Sequence, residues 1–194
     1  MSGVEVRMTL AFASRLAILL LMLIPAVHGG QPAAPCPADA EPSGADPAAR
    51  NAVVIYLVRH AEKASGGKDP ELTEGGRERA LTLARTLNDA GIDTIYSTDF
   101  KRTRETAAPL AERLGVEIRI YDWDALEALA TNLQCAGGRH LVVGHSDTTP
   151  ELVGVLGGES GPAIDEQIEY DRLYVVTVGP DGTVTTTLLR YGEP

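Results

Sequence analysis

The sequence predicts an α/β fold: a three-layer helix–sheet–helix sandwich with a mostly parallel central sheet and an antiparallel C-terminal hairpin. Three observations lead there. From Asn51 onward, apolar runs of strand length alternate with amphipathic helical stretches, the pattern of successive βαβ units. The first run, Val53-Val54-Ile55-Tyr56-Leu57-Val58, is apolar throughout, which suits a central parallel strand covered on both faces. Near the C-terminus, two further runs (173–178 and 184–189) flank Pro180-Asp181-Gly182, a turn signal joining antiparallel neighbours.

Each element has its own signal. Thr73 is placed to cap a helix running to about Ala90, with Leu81, Ala84 and Leu87 on one face and Gly91 as its stop. Residues 92–96 read as the second strand. A helix over about 101–114 buries Thr103, Ala107, Leu110 and Leu114 and ends at Gly115. Val116, Ile118 and Ile120 alternate with Glu117 and Arg119, as in a half-exposed edge strand. Leu126, Leu129, Ala130 and Leu133 form a third helical stripe. Leu141-Val142-Val143 is a short buried strand ending at Gly144-His145, and Thr149-Pro150 reads as an N-cap followed by proline at the first helical position.

The ends and the charge set the class. Arg7 and Arg15 precede an apolar stretch (16–24), Pro25 breaks it, and Ala26, Gly29 and Gly30 follow. This is the layout of a secretory signal peptide over 1–29, and the stretch is short for a membrane span. A Pro/Ala/Asp-rich linker then covers 30–50, leaving 51–194 as one folded domain, expected to carry whatever chemistry the chain performs, in a periplasmic or secreted protein with no stable membrane insertion once the signal is removed. The chain has 194 residues and a formal net charge of −10. That balance argues against nucleic acid as partner, but a cleft with a few converging cations still attracts a small anion. The two cysteines, Cys36 and Cys135, permit one disulfide in an oxidising compartment; two unpaired thiols are the alternative.

Three predicted strand ends carry chemistry: Arg59 and His60 after the first strand, Arg102 shortly after the second, and His145 after the fourth. Parallel strands end on the same side of a sheet, and ligands of open α/β sheets bind there. Two guanidiniums and two imidazoles make a site for a dianion, since arginine pairs bidentately with phosphate oxygens. The N-terminus of the helix after His145 adds backbone donors. An unprotonated imidazole is also a nucleophile at neutral pH, with the arginines neutralising charge that would repel it. Plainer roles are expected for Arg104 (outward-facing), His140 (structural or solvated) and Glu62 and Lys63 (loop or surface). Tyr121 and Trp123 are read as packing residues or as a pocket wall, and Ser65-Gly66-Gly67 with Lys68 as a flexible loop near the active end.

These residues fall into four motifs that resemble the histidine phosphatase superfamily, also called the phosphoglycerate mutase-like superfamily. Arg59-His60-Ala61-Glu62 is similar to its Arg-His-Gly/Ala-Glu motif. Leu72-Thr73-Glu74-Gly75-Gly76 is similar to the Leu-Thr-x-x-Gly segment opening the first helix. The stretch Thr98-Asp99-Phe100-Lys101-Arg102-Thr103-Arg104-Glu105-Thr106-Ala107 follows the Ser-x-Leu-x-Arg-x-x-x-Thr-Ala pattern, with Thr for Ser and Phe for Leu. Val143-Gly144-His145-Ser146 is similar to the Gly-His-Ser motif. The resemblance implies that His60 becomes a phosphohistidine, that Arg59, Arg102 and His145 hold the phosphoryl oxygens, and that water releases phosphate without a metal or other cofactor. Substrates would be small phosphate monoesters or a phosphoprotein, including phosphohistidine. The general acid is expected at Asp122, with Asp124, Glu127 and Asp147 as alternatives.

Three other functions compete. A serine hydrolase using Ser146 is excluded, because position 148 is Thr rather than Gly and no histidine follows His145. A phosphoglycerate mutase-type phosphotransferase and a non-catalytic phosphate-binding module stand as alternatives to a phosphatase.

Overall fold

The computed structural model describes residues 52–193. The expected signal peptide, the linker and Cys36 lie outside those residues. Cys135, on the third helix, is not a free thiol. Among the described residues no helix is long and apolar enough to cross a membrane.

In chain order the elements are β1 (Val53–Arg59), α1 (Glu74–Thr86), β2 (Thr94–Ser97), α2 (Lys101–Leu114), β3 (Ile118–Ile120), α3 (Leu126–Ala136), β4 (Gly138–Gly144), α4 (Thr148–Val155), β5 (Arg172–Val178) and β6 (Val184–Arg190). They build one six-stranded sheet in the order β3-β2-β4-β1-β5-β6. The β3–β2, β2–β4 and β4–β1 pairs are parallel, and β5 and β6 complete the sheet antiparallel. This is the predicted mostly parallel sheet with an antiparallel edge.

Alternation along β1 divides the core into two layers. Val53, Ile55 and Leu57 pack with Leu126, Leu129 and Leu133 of α3 and Leu152 and Val153 of α4. Val58 faces the other way, into a cluster with Leu83 and Ala84 of α1 and Ala107 and Leu110 of α2. Val54 and Tyr56 are half-buried and the rest of β1 is buried, so the strand carries no charged side chain until its end, at Arg59 and, just beyond, His60.

Several boundaries differ from expectation. Helix α1 ends at Thr86 rather than near Ala90, since Asn88 and Asp89 bond to each other and short polar side chains favour turns over helix. Strand β4 starts at Gly138, ahead of the apolar run. Its polar start is hidden because His140 is buried, its Nε2–H donating to the Gly137 carbonyl 2.7 Å away and its ring lying edge-on to Tyr96. Helix α4 is capped by Asp147, not Thr149; the Asp147 carboxylate accepts from the Thr148 N–H. Pro150 therefore sits within the first turn, where backbone N–H groups have no helical partner to lose. Thr149 instead donates to the Val58 carbonyl.

Candidate active site

The carboxyl ends of β1, β2 and β4 meet, as the register requires: Arg59 lies opposite Gly144, and the His60 N–H donates to the Gly144 carbonyl at 2.9 Å. Glycine at 144 is demanded by crowding, because a Cβ there would stand 2.9 Å from Thr149 Oγ1 and 3.0 Å from the Tyr121 hydroxyl. The result is a cavity of about 230 Å³ walled by His60, Arg102 and His145 together with Phe100, Trp123 and the N-terminus of α4. The His60 and His145 rings are 5.4 Å apart, centroid to centroid.

His60 is 3 % exposed, and its Nδ1 lies 2.7 Å from the Ala61 carbonyl. A carbonyl only accepts, so Nδ1 carries the proton and Nε2 keeps its lone pair. Burial is the main cause that depresses the imidazole's pKa, to about 3, and the charges of Arg59, His145 and Arg102 add to it against the Ala61 bond. The ring is thus neutral and nucleophilic at pH 7. Its loop is fixed from α2, where Thr106 Oγ1 accepts from the Ala61 N–H at 2.9 Å and donates to the Arg102 carbonyl.

His145 is oriented by a chain of hydroxyls. Arginine can only donate, so the 3.5 Å contact from Arg102 Nη2 makes Nδ1 of His145 an acceptor. The ring proton then sits on Nε2 and is given to Thr98 Oγ1 at 3.0 Å. Thr98 passes its own proton to Thr103, whose hydroxyl lies against the Thr98 and Phe100 carbonyls. Burial first, and then Arg102, hold the His145 pKa down at about 4.

Arg102 lies with its guanidinium carbon 4.3 Å above the Phe100 ring and 3.9 Å, Nη1 to Oδ1, from Asp69. Its Nε is buried without a hydrogen-bond partner among the described residues, and the side chain lines the cavity with Nη1 beyond hydrogen-bond distance of Asp69, so the cation has donors to spare.

Arg59 is placed differently from the expectation that it holds phosphoryl oxygens. It is 1 % exposed; Nη1 donates to the Asp165 and Glu169 carbonyls and Nη2 to that of Glu166. The guanidinium stacks on Tyr170 at 4.0 Å and does not wall the cavity. The reason is the turn at 165–169, whose three carbonyls converge on the end of β1 and take up the terminal nitrogens. Only Nε is left without a partner. The charge still acts on both imidazoles, lowering the pKa of each.

The general acid also departs from expectation. Asp122 is exposed and accepts from the Asp124 N–H; it lines a neighbouring cavity, not the one holding His60. Asp124 and Glu127 are not on the wall of the His60 cavity either. The carboxylates that are there belong to Asp147 and Glu166. Asp147 was among the alternatives; Glu166, paired with Lys63 at 3.5 Å, was not foreseen. The available signal was the acidic run Asp165-Glu166-Gln167-Ile168-Glu169-Tyr170-Asp171, unusual beside a site rich in arginine. Arg104 faces outward against Asp99. Glu62 anchors Arg79 of α1 at 2.8 Å, while Lys63 reaches the cavity wall. Tyr121 is a packing residue whose hydroxyl bonds Thr148, with burial raising its pKa.

The family model described as "Histidine phosphatase superfamily (branch 1)" matches residues 55–127. The chain is 40 % identical over 73 residues to phosphoserine phosphatase 1 of Hydrogenobacter thermophilus, covering 34 % of this chain and 35 % of that protein. It is 37 % identical over 75 residues to the "Probable phosphoglycerate mutase GpmB" of Escherichia coli, covering 35 % and 34 % respectively. These matches span about a third of the length of each curated relative. Among solved structures, that of the protein histidine phosphatase SixA complexed with tungstate superimposes with a TM-score of 0.58 at 17 % identity, over 71 % of this chain and 96 % of that one; this likeness speaks for the fold.

Proposed function

We propose that this chain, which belongs to the histidine phosphatase superfamily, is a phosphatase that hydrolyses phosphate monoesters, or phosphohistidine, through a phosphohistidine on His60. The observation that carries the reading is the state of His60: a buried neutral ring with its proton fixed on Nδ1 by the Ala61 carbonyl, beside an arginine with unspent donors and a second imidazole. Nε2 attacks phosphorus in line, forming the N–P bond as the P–O bond to the alcohol breaks. Arg102 neutralises equatorial oxygen charge. A bound dianion raises the His145 pKa, which lets that ring donate to the phosphoryl group. Water then cleaves the N–P bond and restores the imidazole. The protons for the departing alcohol come from Asp147 or Glu166 in this reading, the two carboxyls on the cavity wall.

The printed descriptions of the relatives include both a phosphoserine phosphatase and a mutase, so the test must separate hydrolysis from transfer. With radiolabelled phosphate monoester, the wild-type chain acquires a label labile to acid and stable to alkali, and phosphate appears at a steady rate. His60→Ala carries no label and loses more than about 10³-fold in kcat/KM. Near-normal turnover in that variant overturns the mechanism, and label recovered on an added hydroxyl acceptor instead of as phosphate favours a mutase. Asp147→Asn and Glu166→Gln identify the acid: its loss slows alkyl phosphates more than aryl phosphates, whose leaving groups need less protonation.

A further inference from the structure

Beside the phosphate cavity lies a second one of about 420 Å³, lined by Asp99, Phe100, Ile120, Tyr121, Asp122 and Trp123. Phe100 and Trp123 also line the first cavity, so the two rings form a shared ridge. Phe100 is already committed, lying edge-on to His145 at 5.2 Å and under the Arg102 guanidinium. Trp123 is not. It is 51 % exposed, and no ring or cation stacks on it among the described residues. The turn that carries it is stiff: Asp122 Oδ1 accepts from the Asp124 N–H at 3.0 Å and the Ala125 N–H donates to the Asp122 carbonyl at 3.1 Å. A half-exposed indole held on a fixed turn beside a catalytic cavity leaves an apolar face for a ligand to cover.

On the phosphatase reading, a phosphoryl group held by Arg102 and His145 directs its alcohol across this ridge. We infer that Trp123 is a specificity residue that stacks the ring of a ring-bearing leaving group, so that the preferred substrates are phosphate monoesters of neutral cyclic alcohols. The acids of the second cavity set the charge: Asp99, paired with Arg104, and Asp122 disfavour a leaving group with its own carboxylate or second phosphate. Hydroxyl donors on the ring edge suit those oxygens.

Trp123 is the only tryptophan of the chain, which gives a readout independent of turnover. Benzyl phosphate and ethyl phosphate are compared as substrates, since both release simple alkyl alcohols and differ in the ring; benzylphosphonate and ethylphosphonate serve as non-hydrolysable ligands. Benzylphosphonate shifts the tryptophan emission at lower concentration than ethylphosphonate. Trp123→Ala loses about tenfold more kcat/KM on benzyl phosphate than on ethyl phosphate, and Trp123→Phe recovers most of that difference. Equal losses on the two esters, or emission unmoved by benzylphosphonate at concentrations that inhibit turnover, overturn the inference while leaving the phosphatase in place. A wild-type chain that frees no phosphate from either ester overturns the inference, and one that frees none from phosphohistidine as well overturns the phosphatase reading with it.

Discussion

At the scale of single residues, the two arginines nearest His60 have separate duties. Arg59 satisfies three backbone carbonyls of the 165–169 turn, whereas Arg102 has a single 3.5 Å hydrogen bond to His145 and an unpartnered Nε. Removing Arg59, itself 1 % exposed, empties a filled site and takes the donors from three carbonyls, so Arg59→Ala is expected to cost about 2–4 kcal/mol of stability by urea denaturation, together with activity. Arg102→Ala is expected to keep the urea midpoint and to lose about 10²-fold or more in kcat/KM. Arg104→Ala, which removes only an exposed ion pair with Asp99, should stay within about twofold of wild type on both measures. The pH profile also follows from His60. With its pKa at about 3, the imidazole that the proposed mechanism uses as nucleophile stays unprotonated well below the usual imidazole range. Once corrected for substrate ionisation, kcat/KM should hold from pH 7 down to about 5 instead of falling through 6.5.

At the scale of elements, the site depends on how tightly the first helix approaches the loop after β1. Thr73 accepts from the Gly76 N–H as the N-cap of α1, and the Thr73 N–H donates to the Glu62 carbonyl. A Cβ at Gly76 would overlap that same carbonyl, a backbone atom that cannot rotate away. Gly76→Ala is therefore expected to lower stability by about 1–3 kcal/mol in urea and to displace the His60 loop, raising KM as well. Gly75, where a Cβ meets only the Thr73 hydroxyl at 3.8 Å, should accept alanine. The segment before β5 is secured in a comparable way. Arg172 grips the Glu169 carboxylate through two nitrogens and reaches the Pro162 and Ala163 carbonyls, while Arg190 adds bonds to Glu169 and Asp171. Arginines from β1, β5 and β6 thus hold one irregular segment against the active end of the sheet.

For the whole molecule, these burials make stability depend on pH with one sign. The unfolded chain protonates its histidines near 6.5, but folded His60 and His145 resist until about 3 and 4. Their contribution is complete above 6.5 and is lost as pH falls from there to those values. Glu169, held at about 2 chiefly by Arg172, contributes above its ordinary 4.5 and loses that contribution between 4.5 and 2. All three terms act in one direction, so the urea midpoint should fall continuously from pH 7 to pH 3. A midpoint that rises on acidification would contradict the burial of both imidazoles.

The sequence by itself determined the layered fold, the parallel sheet with its C-terminal hairpin, and the meeting of His60, Arg102 and His145. These follow from local signals: apolar runs define the strands, and parallel strands must end on one side. It also placed α2, whose Gly115 stop is where the chain turns left-handed. Only the tertiary structure decided how the donors of Arg59 are spent, which carboxylates wall the cavity, and that Trp123 stands half-exposed on its rim. Those outcomes turn on segments remote in sequence, with Glu166 more than a hundred residues from Arg59. An irregular segment has no periodicity to reveal where its carbonyls point; that direction is fixed only when Arg59, Arg172 and Arg190 close around it.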